Sequence, residues 1–167
     1  MKNNFTQPFI KSSHVSVYIL AEVDDNQFIQ FIEEDELGAK YANALSTELD
    51  LKQDIALQLA KYLHENGLEL TKFRELVRET SLDFSLLDET PGNKTDEICF
   101  HVHADHTDRP TSYENKQTVF VSLDEMLHNF QESVGYSSVI ELGIAQLILE
   151  RGATHYTSHT ENSSQQS

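Results

Sequence analysis

The sequence predicts an α+β fold, in which a small, mostly antiparallel sheet of about three strands packs against a layer of about four or five helices. Three observations carry this. Residues His14–Val23 alternate between β-branched apolar residues and mixed ones, residues Glu97–His103 alternate again, and the helical stretches are grouped instead of alternating strictly with strands. The expected organisation is one α+β domain over residues 1–152, opening on a polar lead-in at 1–12. A polar tail at 153–167, rich in Ser, Thr, Gln and His, is expected to be disordered.

Val15, Val17, Ile19 and Ala21 point to one side of the first strand, and Ser16, Tyr18 and Leu20 to the other. Asp24-Asp25-Asn26 stops it. Phe28, Ile29, Phe31 and Ile32 then form an apolar cluster that reads as helical, ending in Glu33-Glu34-Asp35-Glu36. Leu45 to Gly67 holds the clearest helix: Ile55, Leu59 and Leu63 repeat every fourth residue, and Asn66-Gly67 supplies its stop. Thr71 is placed to cap a shorter helix carrying Phe73, Leu76 and Val77, and 81–95 reads as a packed loop around Pro91-Gly92-Asn93.

In the second alternating strand Ile98, Phe100 and Val102 share one face, and Cys99, His101 and His103 the other. Gln117–Ser122 reads as its hairpin partner. Ser122 and Glu125 make a capping box for a helix through Met126, Leu127 and Phe130. Ser138 and Glu141 make another for a helix through Leu142, Ile144, Leu147 and Ile148, with Gly152 as its stop.

Charge bounds the function. The chain carries 28 acidic and 12 basic residues, a net charge of −16 over 167 residues. Glu22, Asp24, Asp25, Glu33, Glu34, Asp35 and Glu36 follow one another with no Lys or Arg until Lys40. Such a field repels nucleic acid and anionic membranes and steers basic proteins inward. The nearest basic cluster, Lys72-Arg74-Arg78, is interleaved with Glu69, Glu75 and Glu79, the pattern of a solvated face. The lone Cys99 forms no internal disulfide and fits a reducing compartment. With no secretory leader and no apolar run of about 20 residues, the expected location is the cytoplasm.

Two constellations bear on chemistry. Two His-x-Ser/Thr strings occur, at His14-Val15-Ser16 and His155-Tyr156-Thr157, but only the first sits on an expected strand. Cys99 is flanked by Asp96 and Glu97, which disfavours a reactive thiolate. The sharpest pattern is His101-Val102-His103-Ala104-Asp105-His106. Histidines two apart at a strand end project to one side, and a following loop can fold further ligands back toward them. The string resembles the His-x-His-x-Asp-His signature of metallo-β-lactamase-fold hydrolases. That resemblance implies that His101 and His103 hold one metal ion, and Asp105 and His106 a second.

The reading that charge, size and composition favour is a non-enzymatic inhibitor, an immunity, antitoxin or anti-defence protein that needs no cofactor. It would block a basic nucleic-acid-handling partner such as a nuclease, toxin or defence effector through Asp24, Asp25, Glu33, Glu34, Asp35 and Glu36. The alternative is a metal-dependent hydrolase or metal-binding domain, taking zinc or another divalent ion on His101, His103, Asp105 and His106. A third reading is an oligomeric scaffold or regulatory subunit.

Overall fold

A computed structural model of the chain describes residues 9–11, 13–24, 26–83, 92–107, 116–132 and 137–166; for 9–11, 81–83, 92–95, 131–132 and 153–166 it describes the backbone alone. In order along the chain these residues form β1 (Phe9–Lys11), β2 (His14–Val23), β3 (Gln27–Glu34), β4 (Lys40–Asp50), α1 (Ile55–Glu65), β5 (Leu68–Asp83), β6 (Gly92–His106), β7 (Thr118–Val121), α2 (Leu123–Glu132) and α3 (Ser138–Gln166).

The strands make one mixed sheet. Across it they run β5, β6, β2, β4, β3, β7, and β1 joins β6 in line with β2. Strands β2 and β6 lie parallel in the middle, with Ser16 opposite Glu97 and Glu22 opposite His103. The remaining pairings among β2, β3, β4, β5, β6 and β7 are antiparallel. The expected small sheet of about three strands under four or five helices is therefore corrected: seven strands and three helices are found among the described residues.

Sheet alternation creates two cores. On one face Val15, Val17, Ile19 and Ala21 of β2 meet Ile98, Phe100 and Val102 of β6 beneath Leu59 and Leu63 of α1. On the other, Leu20, Phe28 and Cys99 lie beneath Met126 and Phe130 of α2 and Val139, Ile140, Ile144 and Leu147 of α3. The faces expected for β2 and β6 are the ones observed. Caps fix the helix starts: Asp54 Oδ1 accepts from the Leu57 N–H at 3.2 Å, and Ser122 Oγ from the Glu125 N–H at 3.2 Å. At the end of α1 the chain turns through Gly67, whose φ of +81° favours glycine.

Other expectations are corrected for identifiable reasons. The 28–32 cluster is strand β3, not helix: Phe28 faces α2 and α3 while Ile29 and Phe31 face α1, so both sides are buried and the two-residue period vanishes. Residues 45–50 complete β4, and helix begins only at Ile55. The helix expected after Thr71 is part of β5. Register shifts between Leu70 and Lys72 and between Glu75 and Val77 each insert a residue, so its apolar positions fall three or four apart, as on a helix. Residues 81–83 and 92–95, expected as loop, extend β5 and β6, while 84–91 lie outside the described residues. Strand β7 pairs with β3 at the far side of the sheet and not with β6. Helix α3 runs past the expected stop at Gly152 to Gln166. No helix among the described residues is long and apolar enough to cross a membrane.

Helix α3 comes down on β6 at Gly143. A Cβ there would stand 2.5 Å from Cys99 Sγ and 3.5 Å from Leu20 Cδ1, whereas at Gly152 it would meet nothing within 4 Å. Gly143→Ala is expected to destabilise the fold by about 1–3 kcal/mol through overpacking. Gly152→Ala should stabilise it by up to about 1 kcal/mol through helix propensity. Urea denaturation of the two variants checks both signs. Burial also pushes the Cys99 thiol up to about 12. A thiol reagent such as DTNB should leave the native protein unlabelled at pH 8 and titrate one thiol per chain in urea.

Candidate metal centre

Glu22, His101 and His103 stand on the α3 side of the sheet, at the carboxyl-end halves of two parallel strands. The phase of β2 that buries Val23 against α1 turns Glu22 the other way, and the phase of β6 that buries Val102 does the same for His101 and His103. Their ligand atoms all lie within 4.8 Å of one another.

Glu22 is the centre of the cluster and is 7% exposed. Its Oε1 accepts from His101 Nε2 at 2.8 Å and from Arg151 Nη2 at 2.6 Å, while Oε2 accepts from the Asn26 N–H at 3.2 Å. His103 Nε2 lies 3.8 Å from the same Oε1. Arg151 Nη1 also donates to Asn26 Oδ1 at 2.9 Å, and its guanidinium sits 5.3 Å over the Phe28 ring. The Phe28 ring stacks on His101 with centroids 6.1 Å apart, and the two imidazoles are 4.5 Å apart.

Protonation follows from these contacts. Burial pushes the Glu22 carboxyl up, but the His101 and Arg151 hydrogen bonds, the Arg151 charge and the Asn26 N–H together hold it below its ordinary range. Burial pushes the His101 imidazole down, and the Glu22 hydrogen bond only partly opposes this. The resting arrangement is therefore a carboxylate facing a neutral imidazole whose Nε2–H donates to it.

One row up the sheet, Lys72 of β5 stands opposite His103, and Arg74 opposite His101. Arg74 makes a two-point ion pair with Glu150 of α3, which ties the edge strand to the helix bearing Arg151. Two clefts open here. One of about 220 Å³ has Glu22, Asp24, Thr71 and His103 in its wall, and one of about 290 Å³ has Lys72, Arg74, His101 and His103.

Of the four residues in the His-x-His-x-Asp-His string, the structure brings together two. Asp105 is exposed and outside the cluster. His106 falls in the opposite phase of β6 from His101 and His103 and stacks edge-on with Phe120, its Nε2 3.6 Å from Asp24 Oδ2. Of the six acids expected to form a contact surface, the five that are described separate into two groups. Asp24 stands at the β2–β3 turn, whereas Glu33, Glu34, Asp35 and Glu36 lie at the other end of β3, roughly 25 Å along an eight-residue strand. Asp25 lies outside the described residues. Glu33 is bound by Lys116 Nζ at 2.7 Å, and Asp35 Oδ1 accepts from the Leu37 and Ala39 N–H groups of its own turn at 2.9 and 2.8 Å.

The sequence reading missed Glu22 and Arg151 as site residues. The signals were present: Glu22 falls in phase with the buried Leu20, and Arg151 extends the Ile140, Ile144, Leu147 stripe of α3 by one turn.

The fold is similar to that of solved hydrolases. A structure described as an ADP compounds hydrolase aligns with a TM-score of 0.57 and 12% identity over 84% of this chain and 75% of its own. The E. coli ORF135 protein aligns at 0.57 and 13%, over 88% and 95%. A NUDIX hydrolase from Nitrosomonas europaea aligns at 0.53 and 13%, over 86% and 90%. No protein-family model and no curated protein matches the sequence. At these identities the likeness is one of fold. It corrects the expectation of a non-enzymatic inhibitor, immunity, antitoxin or anti-defence protein, because two of these neighbours are named as hydrolases; the alternative of a metal-dependent hydrolase agrees better with it.

Removing the central carboxylate tests the network. Glu22→Ala leaves a buried imidazole and a guanidinium facing each other with no anion between them, and is expected to cost about 2–4 kcal/mol in urea unfolding. The exposed Glu36→Ala should cost less than about 0.5 kcal/mol.

Proposed function

We propose that the chain is a metal-dependent hydrolase whose divalent ion is held by Glu22, His101 and His103. The observation that carries this is the convergence of one carboxylate oxygen and two imidazole nitrogens within 4.8 Å, facing clefts on a fold similar to that of hydrolases. The residues fit the group. Ligands of a tetrahedral zinc ion at about 2.05 Å stand about 3.4 Å apart, and the Oε1–Nε2 separations of 2.8 and 3.8 Å bracket that value. Two imidazoles and a carboxylate also match the donor set of catalytic zinc, in which three protein ligands leave a position open.

A bound ion would supply a Lewis acid and an acidified water at the mouth of the clefts. The chain's own residues do the rest. Phe28 and the β6 backbone hold the His101 ring against Glu22. Thr71 Oγ1 donates to the His103 carbonyl at 2.9 Å and fixes the half-exposed histidine at the cleft wall. Lys72 offers a cation to an anionic substrate beside His103. Helix α1 contributes a single carboxylate, Glu65, so its face does not supply a comparable ligand set. The neighbour described as an ADP compounds hydrolase makes ADP compounds the first substrates to test.

Untagged protein loaded with Zn2+ or Mn2+ and desalted should retain about one ion per chain and hydrolyse an ADP compound. His103→Ala, which sits outside the sealed core, should keep the fold while losing the ion and at least about 100-fold in kcat/KM. Hydrolysis that survives in His103→Ala, or in metal-free protein with chelator, would overturn the assignment.

A further inference from the structure

Arg151 occupies the oxygen the metal ion needs. Its Nη2 is 2.6 Å from Glu22 Oε1, the atom that His101 Nε2 and His103 Nε2 also face at 2.8 and 3.8 Å. Oε2 stands on the far side of the carboxylate from this contact and takes the Asn26 N–H at 3.2 Å. A guanidinium and a divalent cation centred on one carboxylate oxygen, both against the same imidazole pair, repel each other and crowd the same space. The contact is built rather than incidental. Arg151 also donates to Asn26 Oδ1 at 2.9 Å and lies over Phe28, so three groups from β2, β3 and their turn hold one side chain of α3.

From this geometry we infer that Arg151 is an internal stand-in cation. It positions Glu22 in the metal-free protein, and it must leave Oε1 when the ion binds. The inference rests on the metal centre proposed above and adds its regulation: entry of the ion is coupled to the segment of α3 around Arg151. With Arg151 docked, Glu22 keeps a charge partner and the fold persists without metal. With the ion bound, the guanidinium is released from the carboxylate and α3 loses one of its anchors to the sheet. The Arg74–Glu150 ion pair, one residue along α3, remains as the second anchor and confines the release to the turn around Arg151. Apparent metal affinity is therefore lower than the three ligands alone would give, by the cost of undocking Arg151.

The test is Zn2+ titration by calorimetry of the wild-type full chain, Arg151→Gln and Arg151→Lys, with hydrogen exchange of α3 read with and without Zn2+. Arg151→Gln removes the competing charge at similar size and should bind Zn2+ at least about tenfold more tightly. Arg151→Lys keeps a cation and should stay within about threefold of wild type. Zn2+ should speed exchange around residues 148–152 in the wild type and leave it unchanged in Arg151→Gln. Equal or weaker Zn2+ binding by Arg151→Gln would overturn the proposal while leaving the metal centre standing. Absence of Zn2+ binding in all three proteins would overturn the metal centre, and the proposal with it. Thermal melts of the metal-free variants establish that each is folded before titration.

Discussion

The carboxylate of Glu22 is the constraint around which this molecule is arranged. It is buried at the end of a central strand, and a buried anion survives only with partners close by. The partners come from separate parts of the chain: the Asn26 N–H from the adjoining turn, His101 from the parallel neighbour strand, and Arg151 from the last helix. Each contact requires a feature of the fold. Register places His103 directly across from Glu22, strand phase turns His101 and His103 to the α3 side, and the seating of α3 on Cys99 at Gly143 sets where Arg151 reaches the sheet. The chemistry of the site and the docking of α3 are thus one arrangement.

The same arrangement gathers several of the few bases of a strongly acidic chain beside one buried acid. Part of the negative charge serves local turns, as at Asp35, whose carboxylate closes the β3–β4 connection. Lys72, Arg74, Arg151 and two histidines gather instead around the clefts at β5 and β6. Net charge alone pointed toward a basic protein partner because it averages over this separation. The positions of a few bases relative to one buried acid carry the functional information that the total conceals.

Much of the site was legible in the sequence and part was not, for reasons of range. Strands β2 and β6 were readable to the face, since Val15, Val17 and Ile19 alternate in the sequence with Ser16 and Tyr18, and Ile98, Phe100 and Val102 with Cys99, His101 and His103. That placed His101 and His103 side by side. Strand β3 was hidden because Phe28 and Ile29 are buried on opposite faces, and β5 because its two bulges convert strand spacing into helical spacing. Assigning Asp105 and His106 to the site followed the motif, but the strand continues straight through them and sends His106 to the other face. Glu22 was seen only as one acid in a charged stretch, because its pairing with His101 spans 79 residues and rests on a parallel register that local pattern does not encode.

The central claim is that Glu22, His101 and His103 form one metal centre. X-ray absorption at the zinc edge of stoichiometrically loaded protein tests it most directly. The account predicts two imidazole scatterers and a carboxylate oxygen near 2.0–2.1 Å, and loss of that zinc signal in desalted His103→Ala. A shell of oxygen atoms alone, or an imidazole signal unchanged in that variant, would contradict it.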